Sequence, residues 1–319
     1  MRLLVLGAGG SLGELIHAQA QARFPGTVIA GYRGPGATSG DVTSRFVDAA
    51  NADSLRRAFR GIDCVISAVP QRSPVVQRVC AEQGIPSVDV SADYDIALRA
   101  RKEVAPDSAP QVVCAGQAPG VTGLMALELY QATSGPVRVG FLIADRARSG
   151  ATGVADMLRA VQDAEDVSWF CYAGLGRRTA ARLRTDESAL MRQPLPLEVV
   201  VAFEKDAVNR AVMGLRAARM LSLLTRPGVA RRLARPRQHP HDEAILLTAV
   251  SGEERLVVRS ESDYLGTACA AVTFARMACR TTARGVLHPG DMTTLEQVVR
   301  EIPEALSRVS GPAPDHPCG

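Results

Sequence analysis

Residues 2–6, Arg-Leu-Leu-Val-Leu, form a continuous apolar run that ends in glycines; helical spacing then continues through Leu15, Ile16 and Ala20. Phe24-Pro25-Gly26 breaks that helix, and Val28-Ile29-Ala30 starts a second apolar run. Phe46-Val47 reads as a third strand, followed by a helix over 54–60 that Gly61 closes. Strands at 64–69, 87–90 and 111–115 then alternate with helical stretches at 75–83 and 98–103. Short apolar strands alternating with helices predict a parallel sheet covered on both faces.

The texture changes after Val121. A helix over 122–132, a strand over 136–143 and a helix over 153–163 lead into an arginine-rich segment, GRRTAARLR at 176–184. A strand at 197–203 and helical spacing from Val208 to Leu221 follow. The runs 245–250 and 255–260 flank Ser251-Gly252-Glu253-Glu254, a hairpin signal. Longer strands with fewer crossovers predict a mixed or antiparallel sheet with helices. A long helix over 264–280, a GVLHPGD loop, a last helix over 295–306 and a frayed polar tail complete the chain.

Composition narrows the class. With 319 residues, 46% hydrophobic and 22% charged, the chain is too apolar and too weakly charged to be disordered. All but two of its 37 basic residues, Lys102 and Lys205, are arginine, yet the net charge of +4 is too small to argue nucleic-acid binding. The seven cysteines contain no CxxC pair and read as buried free thiols in a reducing compartment. No signal segment or integral membrane segment is legible, so a cytoplasmic protein is expected.

The segment GAGGSLG at 7–13 carries the chemistry. A strand, a Gly-rich turn and a helix opening a βαβ unit are the context of a dinucleotide site. Gly7 serves the tight turn, Gly10 the approach of a pyrophosphate, and Gly13 the close packing of helix on strand. Leu12 stands where strict GxGxxG wants glycine, so the match is GxxGxxG. The second strand ends Gly31-Tyr32-Arg33 without the acid that accepts a ribose in NAD sites. Arg33 instead suits a 2′-phosphate, which favours NADP(H); Tyr32 or Arg33 could stack on adenine. The candidate cofactor residues are Gly7, Gly9, Gly10, Ser11, Leu12, Gly13, Tyr32, Arg33, Asp48, Ala49, Ser67, Ala68, Val69, Pro70 and Gly116, drawn from the carboxyl edge of the sheet. Asp93 and Tyr94 at that edge are candidate proton donor or orienter, and Asp93 is equally a helix N-cap.

These segments together resemble the saccharopine dehydrogenase-like family of NADP-binding oxidoreductases. The resemblance rests on VLGAGGSLG, the run from LRRAFRGIDCVISAVPQ to SVDVSADYD, AGQAPGVTGLMA, and DYLGTACAAVTFARMACRTTARGVLHPGD. It implies an α/β fold: a Rossmann domain over 1–120, a mixed-sheet substrate and dimerisation domain over 121–262, and a C-terminal segment, 263–319, returning to the first domain. It also implies hydride transfer at an imine C=N of a small amino-acid-like metabolite, by a homodimer. Relatives in lipid pathways reduce C=C bonds, and no acid–base residue of the family transfers to this chain. A C=C reductase of a carrier-bound or lipid substrate, and a non-catalytic NADP sensor, therefore stay open. Arg146, Arg148, Arg177 and Arg178 are candidate carboxylate clamps. The seven arginines of 216–237 could face a membrane or carrier, or be a solvated basic loop after a packed helix over 208–224. His239 and His241, separated by proline, do not make a metal site.

Overall fold

The computed structural model describes residues 1–24, 26–33, 43–143, 151–224, 229 and 245–309. The chain divides into two compact units. The first comprises Met1–Leu124, Asp186–Pro194 and Tyr264–Ile302; the second comprises Met125–Thr185, Leu195–Asp263 and Pro303–Gly319.

In the first unit, β1 (Arg2–Leu6), β2 (Thr27–Tyr32), β3 (Ser44–Phe46), β4 (Cys64–Ser67), β5 (Ser87–Asp89) and β6 (Gln111–Val112) are joined by β13 (Val286–Leu287) in a seven-stranded sheet. Its order is β13-β6-β5-β4-β1-β2-β3, with every pairing parallel. This is the α/β doubly wound arrangement that the alternating pattern predicts. Leu4, Leu6 and Val65 on one face pack against Leu55 of α2 (Ala52–Ala58) and Val76 and Val79 of α3 (Val75–Glu82). The helix Asp263–Ala278 is buried almost throughout, from Gly266 to Ala275, and belongs to this unit from Tyr264 onward.

A short excursion, 186–194, is pinned to the same unit. Glu187 and His288 are both fully buried, with Glu187 Oε1 3.1 Å from His288 Nε2. The Gly290 N–H donates to His288 Nδ1 at 3.1 Å, so that nitrogen is the acceptor and Nε2–H points to the carboxylate. The Gly120 N–H donates to the same Oε1 at 2.9 Å, and Arg101 donates to the Ala189 carbonyl at 2.8 Å.

The second unit holds a mixed sheet of order β14-β12-β11-β7-β10-β9-β8. Its strands are β7 (Val137–Ile143), β8 (Asp166–Tyr172), β9 (Gly176–Leu183), β10 (Leu197–Phe203), β11 (Ile245–Ser251), β12 (Glu254–Ser260) and β14 (Leu306–Arg308). Only β7 and β10 run parallel; the other pairs are antiparallel. One face packs on helices through Leu158, Val161 and Leu221. On the other face Phe170 and Tyr172 meet edge to face at 4.9 Å over Gly140, where a Cβ would lie 2.3 Å from the Phe170 ring.

Several boundaries differ from the sequence reading. The expected last helix over 295–306 stops at Glu301, because Ile302 precedes Pro303 and a pre-proline residue disfavours the helical region. Residues 306–308 instead pair with β12, so they lie in the second unit rather than following the C-terminal segment into the first. GVLHPGD contains β13, and the arginine-rich segment is β9. The helix expected over 208–224 breaks after Ala217, with Arg219 at φ 56°. Cys64, Cys80, Cys114, Cys269 and Cys279 are free, but Cys171, half-buried on an edge strand, is disulfide-bonded, against the all-thiol expectation. No described helix is long and apolar enough to cross a membrane. Arg146, Arg148, His239, His241 and most of the basic 216–237 segment lie outside the described residues.

Candidate dinucleotide site

The carboxyl edge of β1 opens into a cleft of about 440 Å³, within the range of small-molecule sites. Its wall brings together nine of the predicted cofactor residues: Gly7, Gly9, Gly10, Tyr32, Arg33, Asp48, Ala49, Val69 and Pro70. Leu6, Gly31, Val47 and Ala50 complete it, and all of these residues belong to the first unit.

The glycines have distinct physical reasons. Gly7 has φ +83°, and a Cβ there would lie 2.8 Å from Val69 Cγ1 and 3.0 Å from the Ala68 carbonyl oxygen. Gly13 lies inside α1 (Ser11–Arg23), where a Cβ would sit 1.9 Å from the Gly7 carbonyl oxygen; the helix can lie on the turn only without a side chain there. Gly10 is the N-cap, in ordinary extended backbone at φ −89° and ψ 158°, and gives α1 no side-chain cap. A Cβ at Gly10 would meet the Gly7 oxygen at 3.4 Å, an ordinary contact. The first-turn N–H groups of α1 therefore have neither an intrahelical acceptor nor a capping side chain, which is the arrangement that receives an anion.

The opposite wall comes from the ends of β2 and β3. A Cβ on Gly9 would touch the Tyr32 ring at 3.3 Å, so the turn faces that ring at close range. Arg33 is exposed on the cleft wall directly after β2. The Val47 N–H donates to the Tyr32 carbonyl at 2.8 Å and carries the chain into Asp48. Asp48 Oδ1 accepts the Ala50 N–H at 3.1 Å, and the Asp48 N–H donates to Ser54 Oγ at 2.9 Å.

The remaining predicted residues lie off this wall. Ser11 and Leu12 occupy the first turn of α1 beside Gly13. Ser67 is fully buried at the end of β4, its hydroxyl without a partner among the described residues, and Ala68 donates its N–H to the Leu6 carbonyl at 3.0 Å. Gly116 is buried in the turn after β6, where its N–H donates to the Pro119 carbonyl at 3.0 Å.

The two catalytic candidates lie at the start of α4 (Tyr94–Glu103). Asp93 is the N-cap of α4: its Oδ1 accepts the Ile96 N–H at 3.0 Å. Tyr94 packs half-buried against Ala97, Val113 and Cys114. Neither is on the cleft wall. Of the arginine clamps, Arg178 Nε donates to the Glu204 carbonyl at 2.9 Å, and the Arg177 guanidinium stacks 4.8 Å from the Trp169 ring centroid.

The sequence reading passed over Asp89, the last residue of β5. Its Oδ2 accepts from Gln71 Nε2 at 2.8 Å and Gln77 Nε2 at 2.7 Å, and its Oδ1 from the Ser91 N–H at 3.0 Å. Burial pushes its carboxyl up to about 6, against those hydrogen bonds. An acid inside the apolar strand SVDV was the available signal. Among the described residues no group of three His, Cys, Asp or Glu could hold a metal.

No known family matches the sequence, and no curated protein does. Solved structures resemble it to different degrees. Saccharopine dehydrogenase (L-Glu forming) from Saccharomyces cerevisiae matches over 97% of this chain and 100% of that one, with TM-score 0.56 and 12% identity. A myo-inositol dehydrogenase from Corynebacterium glutamicum matches over 98% and 99%, with TM-score 0.46 and 11% identity. The WlbA dehydrogenase from Thermus thermophilus, solved with NAD and UDP-GlcNAcA, matches over 99% of both chains, with TM-score 0.43 and 12% identity. At these identities what the chain shares with the yeast enzyme is the fold: a parallel Rossmann-like sheet with a second, mixed sheet.

Proposed function

We propose that the protein is an NADP(H)-dependent oxidoreductase that transfers hydride at the C=N bond of a small amino-acid-like metabolite. The observation that carries the reading is the uncapped start of α1 facing one cleft with Arg33, at a strand end that offers no acid. The residues fit a dinucleotide. The N–H groups around Gly10 would hold the pyrophosphate, Tyr32 would stack on adenine, and the Arg33 guanidinium would pair with a 2′-phosphate. Asp48 and Ala49 would flank the adenine, and Val69 and Pro70 would border the path toward the nicotinamide. When bound, the nicotinamide supplies or accepts the hydride, and the protein supplies orientation and exclusion of water. The shared fold with saccharopine dehydrogenase supports amine–imine chemistry as the class to screen first.

One observation favours a second reading, a nucleotide-binding sensor. The titratable side chains on the cleft wall are Tyr32, Arg33 and Asp48, all at the ends of β2 and β3, and Asp93 is engaged as a helix cap. Titration of the protein with NADPH and NADH, beside Arg33→Ala, tests both readings. We expect NADPH to bind at least about tenfold tighter than NADH, with the preference lost in the variant. Equal binding of both nucleotides by the wild type would refute the NADP assignment. Tight binding without turnover across amine and keto-acid pairs would leave the sensor.

A further inference from the structure

Asp89 ends β5 next to β4, and the chain leaving β4 forms the Val69–Pro70 part of the cleft wall. Backbone bonds hold that exit as far as residue 68: the Ala68 N–H donates to Leu6, and the Val90 N–H donates to the Ser67 carbonyl at 3.2 Å. Beyond residue 68 the lip is tied by Gln71, whose amide donates to Asp89 at 2.8 Å and accepts from the Val76 N–H at 3.4 Å, and by the Arg72 carbonyl, which accepts from Arg99 of α4 at 3.2 Å; of these, Gln71 is the tie to the sheet. The lip in turn packs on the glycine turn, since Val69 Cγ1 occupies the space a Cβ at Gly7 would need. Displacement of the lip therefore changes the cleft beside the glycine turn.

We propose that Asp89 is a positioning residue for the nucleotide: through Gln71 it holds the Val69–Pro70 lip against the glycine turn. The inference rests on the dinucleotide reading of the cleft. Asp89 is 4% exposed, and its polar surroundings supply donors but no cation. Its titratable neighbours among the described residues are Asp93, at the cap of α4, and Cys114, beyond β6; β4 contributes Ser67 and α3 contributes Gln77. The donors to the carboxyl are Gln71, Gln77 and the Ser91 N–H, while Gln77 Oε1 and Ser67 Oγ are buried without partners among the described residues. Burial without a cation also places the titration of Asp89 near pH 6, so mild acid removes the charge that Gln71 binds.

The test is titration of NADP+ into the full-length wild type, Asp89→Asn, Gln71→Ala and the double variant, at pH 7.5 and 5.5, with folding checked by circular dichroism. We expect each single variant to bind about tenfold more weakly at pH 7.5, the scale of a lost charge-assisted hydrogen bond. The double variant should be no weaker than either single one. The wild type should lose affinity toward pH 5.5 by a step that Gln71→Ala lacks; titration of the nucleotide's own phosphate is common to all four proteins and cancels in that comparison. Gln71 is half-exposed, so Gln71→Ala carries the test if Asp89→Asn fails to fold. Unchanged affinity in Gln71→Ala, or the same pH step in it, would overturn the inference while leaving the site intact. No binding by the wild type would overturn both.

Discussion

Replacing Gly13 and Gly10 by alanine, one at a time, separates what the glycine turn does for the fold from what it does for a ligand. A Cβ at Gly13 would sit 1.9 Å from the Gly7 oxygen and 2.6 Å from its carbonyl carbon. That is roughly 1.5 Å inside ordinary contact, and both neighbours are backbone, so α1 must move away from β1. The movement strains the Gly10 N–H bond to the Gly7 carbonyl, now 2.9 Å long. Overpacking costs about 1–3 kcal/mol and the weakened bond about 1 kcal/mol, while alanine's helix propensity returns about 1 kcal/mol. The net expectation is a loss of about 1–3 kcal/mol. At Gly10 the contact is 3.4 Å and the backbone suits alanine, so Gly10→Ala should cost less than about 1 kcal/mol. It should nevertheless weaken NADP+ binding more than about tenfold, because the added methyl stands where a pyrophosphate approaches. Urea unfolding followed by circular dichroism reads the first quantity, and nucleotide titration the second. A Gly13→Ala protein within about 0.5 kcal/mol of wild type would refute the packing argument. A Gly10→Ala protein that binds like wild type would refute the anion cradle.

Two other outcomes follow from buried charge. Burial raises the Asp89 carboxyl from its ordinary 3.8 to about 6, so the stability this group contributes is fully present below pH 3.8 and lost as pH rises through 6. The loss amounts to about 3 kcal/mol, and urea midpoints measured from pH 4 to 7 should show that falling contribution in wild type but not in Asp89→Asn. His288→Ala removes the donor to Glu187 and the acceptor of the Gly290 N–H, both fully buried. We expect a loss of about 3–5 kcal/mol in urea unfolding and faster proteolysis within 186–194.

The sequence was most readable where structure is local. The strands β1, β2 and β4 to β6 are apolar runs bounded by turn residues, and the glycine turn lies at the end of the first. The pattern failed where a partner far along the chain decides. Val286-Leu287 is two residues long and becomes a strand only by lying beside Gln111-Val112. Strand β9 hides its alternation behind Arg177, Arg178 and Arg182, and β8, with Asp166 and Ser168 among its aromatics, shows no clean period. Among site residues, the cleft followed from strand ends. Asp89 did not, because its significance lies in amides supplied by Gln71 and Gln77 from a loop and a helix. Asp93 shows the converse: an acid at the right edge whose hydrogen bond belongs to its own helix.

The position of β13 also bears on how the chain is made. On a ribosome, β1 through β6 emerge first and can assemble, but the outer edge of β6 must wait for Val286, which pairs with Gln111. Between those two residues the chain lays down nearly all of the second sheet. A nascent protein halted short of β13 would carry six of the seven parallel strands, with an open edge of unpaired amides and carbonyls at β6, the surface on which strands of other chains add. Synthesis of Val286 and Leu287 therefore covers the β6 edge of the first sheet, and a chain truncated before Val286 should be marked by aggregation rather than by a smaller folded domain.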